Sequence, residues 1–106
     1  MSGIVVRDRL FALKDPVYQE FISGLLPTVD KARIIGVRMP ALRKLAAELA
    51  KAPEAAAFLD ALPHHFLEES HLHGLLINRF PDYQDAVRAL DRFLPHVDNW
   101  ATCDLL

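Results

Sequence analysis

The side chains best equipped for chemistry lie at the end of the sequence, in Asp98-Asn99-Trp100-Ala101-Thr102-Cys103-Asp104. Trp100 and Asp104 stand four residues apart. On a helix that spacing puts an indole plane and a carboxylate on one face, about one turn from each other. Asp98 and Asn99 are good N-cap types, so such a helix would open just before the tryptophan. An indole face can attract a cation, and a fixed carboxylate can stabilise developing positive charge or position a water. The plainer alternative is a core tryptophan beside a surface acid. The chain stops two residues after Asp104, which suggests a fragment.

A second candidate is a block of charge. Lys31, Arg33, Arg38, Arg43, Lys44 and Lys51 face a single acid, Glu48, within a chain whose formal net charge is −2. Such a local basic stretch reads as an anion-binding face or as a solvated helix surface. His64, His65, His71 and His73 fall close together, but His71 and His73 point to different faces of a helix. Packing, surface and hydrogen-bonding roles are therefore expected for them, and no metal site or other cofactor. Adjacent Glu68 and Glu69 face different ways on a helix and make no dyad. A helix-surface role is expected, the alternative being a buried Glu69 paired with an arginine. There is no Gly-rich phosphate loop, no nucleophile elbow and no Ser/His/Asp arrangement. Gly36 marks a turn.

The elements that must position these groups are helices. Seven prolines, at 16, 27, 40, 53, 63, 81 and 95, punctuate 106 residues at intervals that mostly fit one helix and a turn. Ser2 is a candidate cap for a first helix to about Leu13, with Val6, Leu10 and Leu13 on one side. Asp15-Pro16 opens a second, with Tyr18, Phe21, Ile22 and Leu25 at helical spacing. Thr28 to Met39 reads as an ordered connection, partly helical near Val29–Arg33. Met39-Pro40 starts a helix whose buried stripe is Leu42, Leu45, Ala46 and Leu49. Pro53 opens another, with Ala57, Phe58, Ala61 and Leu62 as its apolar positions. A long helix from about His65 to Phe80 is apolar over so wide an arc that it should be packed on two sides. The cleanest pattern follows: Tyr83, Ala86, Val87, Leu90, Phe93, Leu94 and Val97, broken near Pro95. Nothing alternates as a strand does. The expected fold is all-α, with about six or seven short helices in antiparallel pairs. Helix length suggests a HEAT-like or armadillo-type α-α superhelix, with an irregular bundle as the competitor. A solenoid cut short would expose the face that stacks on the next repeat.

Composition sets the class. An apolar share of 52% with 25% charged residues is ordinary for a soluble globular domain. The single Cys103 rules out an intramolecular disulfide and fits a reducing compartment. No signal peptide and no membrane span is expected, which points to the cytoplasm.

Three stretches carry a family resemblance: Ile35-Gly36-Val37-Arg38-Met39-Pro40-Ala41-Leu42-Arg43-Lys44-Leu45-Ala46, Leu62-Pro63-His64 with Glu68-Glu69, and Asp98 to Asp104. In their order and separation they resemble the N-terminal half of the AlkD-type DNA alkylation repair proteins. The Gly-x-x-x-Pro-x-x-Arg and Trp-x-x-Thr-x-Asp words are the specific parts. The resemblance spans essentially the whole chain, read as a single N-terminal portion of a HEAT-like domain over residues 1–106. It implies a curved, basic surface that cradles duplex DNA. It also implies a monofunctional glycosylase that excises cationic N3- or N7-alkylated purines. By the same resemblance Asp104 matches the catalytic acid, Trp100 an aromatic that flanks the lesion nucleotide, and Arg43 a basic DNA-facing position. Arg38 and Lys44 are added to the DNA-binding set from the charge block alone. The implied partner is duplex DNA containing alkylated purines, with no membrane, and location on the nucleoid when DNA is bound. The 106-residue chain alone is expected to have little or no glycosylase activity, and its exposed end to allow self-association. The rival expectation is a non-catalytic module that binds branched DNA or a protein.

Overall fold

A computed structural model describes residues 6–105, so Ser2, the expected first cap, and Leu106 lie outside the described residues. Helix boundaries follow the capping residues. Asp15 caps α2 (Pro16–Leu25), its carboxylate accepting from the backbone N–H groups of Val17 and Tyr18, with Pro16 in the first turn. Pro40 occupies the first turn of α3 (Met39–Leu49). Asp82 caps α6 (Tyr83–Phe93) by accepting from the N–H groups of Gln84 and Asp85. The other helices are α1 (Val6–Ala12), α4 (Glu54–Asp60), α5 (Leu67–Ile77) and α7 (Trp100–Asp104). Short 3₁₀ turns cover Lys31–Arg33 and Leu94–His96, the second ending α6 where Pro95 predicted a break. Among the described residues there is no strand. The fold is all-α. No described helix is long and apolar enough to cross a membrane.

The central element is α5, which packs against α1, α3, α6 and α7. It is shorter than the expected His65–Phe80 because Phe66 is extended. The Phe66 N–H donates to the Glu69 carboxylate at 2.9 Å, as in a capping box, and fixes the helix start at Leu67. All its residues but Leu75 are buried, so it is enclosed on more than two sides. The predicted stripe of α3 is buried as read, and joins Leu10, Ile35, Val37, Phe58, Leu72 and Leu76 in the main core. Each such leucine contributes about 1.5–3 kcal/mol by leaving water. A smaller cluster holds Leu26, Val29, Ile34 and Leu67.

Several expected apolar positions turn outward. On α2, Phe21 and Leu25 are exposed, because the helix packs through Ile22 and Leu26 instead. On α4, Ala57 and Ala61 are exposed, and Ala55, Phe58 and Leu59 make the contacts. Leu13 lies past the end of α1 and is exposed. Helix α6 buries only Phe93 fully and leaves Tyr83 and Val87 in solvent, and Leu94 in the turn that follows is exposed too.

The glutamates also differ from the expected surface role. Glu69 is buried and paired with Arg7 at 3.0 Å. Glu68 is 2% exposed and accepts from the N–H groups of Ile35 (2.9 Å) and Gly36 (3.0 Å). The physical reason is that Ile35 and Gly36 are buried in a connection that is neither helix nor strand, so their N–H groups have no regular backbone acceptor and the carboxylate takes both.

The histidines pack. His64 stacks on Phe58 and His73 on Phe93, while His64 Nε2 and His73 Nδ1 lie 2.9 Å apart, making one buried column from α4 to α6. Burial holds the His71 imidazole down to about 4. Burial, aided by neighbouring His64, holds His73 down to about 3. An unfolded histidine titrates near 6.5. Between those values the unfolded chain takes up protons that the folded chain refuses, so stability is full above about 6.5 and declines as pH falls. His71 alone contributes about 3 kcal/mol of this. We expect the melting temperature to be flat at neutral pH and to fall steadily from about 6.5 to about 4. His71→Leu should shallow that slope, and an unchanged slope would remove His71 from the account.

Candidate functional site

The site grows from α7, a helix too short to stand alone. Asn99 caps it by accepting from the Thr102 N–H at 2.8 Å. Its inner side is anchored three ways. Thr102 is fully buried, and Ala101 packs on the Leu26–Leu67 cluster. Asn78, at the C-terminal end of α5, donates from Nδ2 to the Leu105 carbonyl at 2.6 Å. Arg33 donates through Nε to the His65 carbonyl (2.8 Å) and through Nη1 to Asp98 (3.2 Å). The hydrogen bond from Asn99 and then that from Arg33 hold the Asp98 carboxyl below its ordinary range.

With its inner side fixed, the helix presents the other. Trp100 is 57% exposed, so the core-tryptophan alternative is excluded. Asp104 is exposed one turn further along the same face. It lines a cleft of about 410 Å³ together with Arg43 and Ala46 of α3, Leu75, Asn78 and Arg79 at the end of α5, and Leu105. Thus Arg43 and Asp104, distant in sequence, meet in one cleft. Trp100 is not among the lining residues. Lys44 is exposed on α3 outside the lining. Arg38 is also outside. Its Nε donates to Asp15 at 2.8 Å and its guanidinium lies over the Tyr18 ring, 5.0 Å from the centroid. The bond from Arg38, then the N-cap bond from the Tyr18 N–H, lower the Asp15 carboxyl.

The electrostatics of the cleft are unusual for this molecule. Among the described residues, no ion pair includes Arg43, Arg79 or Asp104. Charges of both signs share one concavity without neutralising each other. Such an arrangement leaves both free to meet a ligand that itself carries anionic and cationic groups. Among the described residues no three His, Cys, Asp or Glu side chains converge to hold a metal ion.

The family model described as DNA alkylation repair enzyme matches residues 6–106. The chain belongs to the DNA alkylation repair enzyme family. Comparison with curated proteins and with solved structures finds no match. For a DNA alkylation repair enzyme the relevant ligand is DNA, a polyanion, which suits a cleft with two unpaired arginines. Sequence reasoning missed Asn78, Arg79 and Arg33 in this repair-family chain. Asn78 and Arg79 follow directly on the apolar α5 pattern and carry no motif. Arg33 reads as one more base of the charge block, and its two acceptors lie far along the chain.

Proposed function

We propose that this chain supplies the catalytic half of a monofunctional DNA glycosylase that excises cationic N3- or N7-alkylated purines from duplex DNA. The observation that supports this most is the Asp104 carboxylate in a cleft with Arg43 and Arg79, none of which has an ion-pair partner among the described residues. Alkylation at N7 or N3 gives the purine a positive charge and weakens its glycosidic bond. As the base departs, positive charge builds on the sugar, an oxocarbenium-like centre. Asp104 stabilises that charge and positions the attacking water. Trp100, exposed beside it, lies against the cationic nucleotide and gains cation–π attraction. Arg43 holds a phosphate, and Lys44 and Arg38 extend the basic surface. In this reading the chain is part of a HEAT-like superhelix whose DNA-facing side carries α3, α7 and the C-terminal end of α5, and the protein acts on nucleoid DNA in the cytoplasm. The test is release of alkylated purine from methylated duplex DNA by the protein that carries this chain, with the 106-residue chain assayed alongside. Release is expected from the former and little or none from the latter. No release by either would refute the catalytic reading.

A second reading, a non-catalytic module that binds branched DNA or a protein, is favoured by one feature. Helix α6 and the turn that ends it leave Tyr83, Val87 and Leu94 exposed on their apolar side. If that side joins two copies, sedimentation should show a concentration-dependent dimer that Val87→Glu disperses. A monomer at all concentrations would remove self-association.

A further inference from the structure

Among the described residues, six of the eight arginines hold a carboxylate: Arg7 with Glu69, Arg9 with Glu48, Arg33 with Asp98, Arg38 with Asp15, Arg88 with Asp85 and Arg92 with Asp60. The remaining two, Arg43 and Arg79, both line the cleft that contains Asp104. Arg43 was legible from its motif, whereas nothing in the sequence singles out Arg79. Its position is distinctive. It also lines a wider depression of about 650 Å³ between α4 and α6, so it stands on the ridge between two concavities. There its neighbours Arg88 and Arg92 are neutralised by Asp85 and Asp60. Arg79 is therefore, among the described residues, a guanidinium on that ridge with no ion-pair partner, and it is exposed.

We propose that Arg79 is a second DNA-backbone contact of the cleft, holding a phosphodiester beside the nucleotide that Asp104 addresses. This rests on the glycosylase reading above. A guanidinium offers a planar fork that matches two phosphate oxygens, and it repels a cationic base. Arg79 is thus suited to the backbone flanking the lesion and unsuited to the lesion itself. With Arg43 from α3 and Asp104 from α7, Arg79 from the turn after α5 completes a set of three charged groups that line one cleft. The set divides the work: two arginines take the anionic backbone, and the carboxylate is left for the positive charge. Arg38, committed to Asp15 and Tyr18, contributes less to the backbone than the sequence alone assigned to it.

The test is fluorescence anisotropy of a labelled, unmodified duplex titrated with the 106-residue chain over a salt series that starts at low ionic strength. Each phosphate contact contributes a slope of about −0.9 to log K against log salt. Arg79→Ala should reduce the slope by about one contact and weaken low-salt binding several-fold. Arg79→Lys should keep the slope, and Arg88→Ala, which removes a paired arginine, should leave it near that of the unsubstituted chain. Arg79→Ala and Arg88→Ala should melt like the unsubstituted chain, since neither side chain enters the core. An unchanged slope in Arg79→Ala, with a reduced one in Arg43→Ala, overturns the Arg79 assignment and leaves the DNA reading intact. Equal losses in Arg79→Ala and Arg88→Ala overturn it too, by reducing the effect to net charge. No binding by the unsubstituted chain overturns this assignment and the DNA reading together.

Discussion

Asp104→Asn is expected to abolish release of alkylated purine while leaving duplex affinity within a few-fold of the unsubstituted protein. The change is nearly isosteric, so the shape of the cleft formed by Arg43, Ala46, Leu75, Asn78 and Arg79 is kept. Placement of α7 is also kept, because it depends on Asn99, Thr102 and the Asn78 bond to the Leu105 carbonyl, not on the Asp104 side chain. On the proposed reading, what goes is a fixed negative charge where positive charge develops. Preorganised groups of this kind are worth about 10²–10³ in rate, and the deletion is felt in the transition state far more than in ground-state binding. On that reading affinity is set elsewhere, by Arg43 and its basic neighbours against phosphates. Single-turnover release of methylated purine, followed by chromatography, reads the rate, and anisotropy reads binding. Equal release by the variant would sink the assignment of Asp104. A parallel loss of release and binding would recast it as a folding or docking residue.

The second large effect concerns stability and lies away from the cleft. Glu68→Ala should cost about 2–6 kcal/mol, because two buried backbone N–H groups, of Ile35 and Gly36, would each lose their acceptor at about 1–3 kcal/mol apiece. A typical domain has only about 5–15 kcal/mol in total, so a large unfolded fraction is expected at moderate urea. Gly36→Ala should be comparably damaging for a steric reason. At φ +92 an added Cβ would lie 2.6 Å from the Asp15 carbonyl oxygen, 2.7 Å from Gln19 Cβ and 2.9 Å from the Gln19 nitrogen. The Asp15 N–H also donates to the Gly36 carbonyl at 2.7 Å, so the backbone cannot move aside without losing that bond. These two residues seat the start of α2 and the strand-like approach to α3 on the central helix α5. Urea denaturation would decide: a loss below about 1 kcal/mol in Glu68→Ala would show that water replaces the carboxylate.

The local signals in the sequence were accurate where the physics is local. Asp15-Pro16 and Met39-Pro40 start helices because capping and proline geometry act within one turn. The α3 stripe was legible because that helix faces a single neighbour layer, and its period reports that face. Helix α6 shows the limit. Its apolar pattern is the cleanest in the chain, yet Tyr83, Val87 and Leu94 remain exposed, since a period records which face is apolar and not whether anything covers it.

The Trp100–Asp104 pair follows the same division. Sequence by itself determined that both would project from one face of a short helix at an Asp98-Asn99 start, and that arginines and lysines concentrate between Lys31 and Lys51. Only the tertiary structure decided that Trp100 faces solvent, that Arg43 and Asp104 share a cleft, and that Arg79 joins them while Arg38 is spent on Asp15. The reason is range. A side chain's face on its own helix is set by neighbours three or four residues away. Whether its charge is cancelled depends on a partner from another helix, and that partner is chosen by how the helices pack around α5.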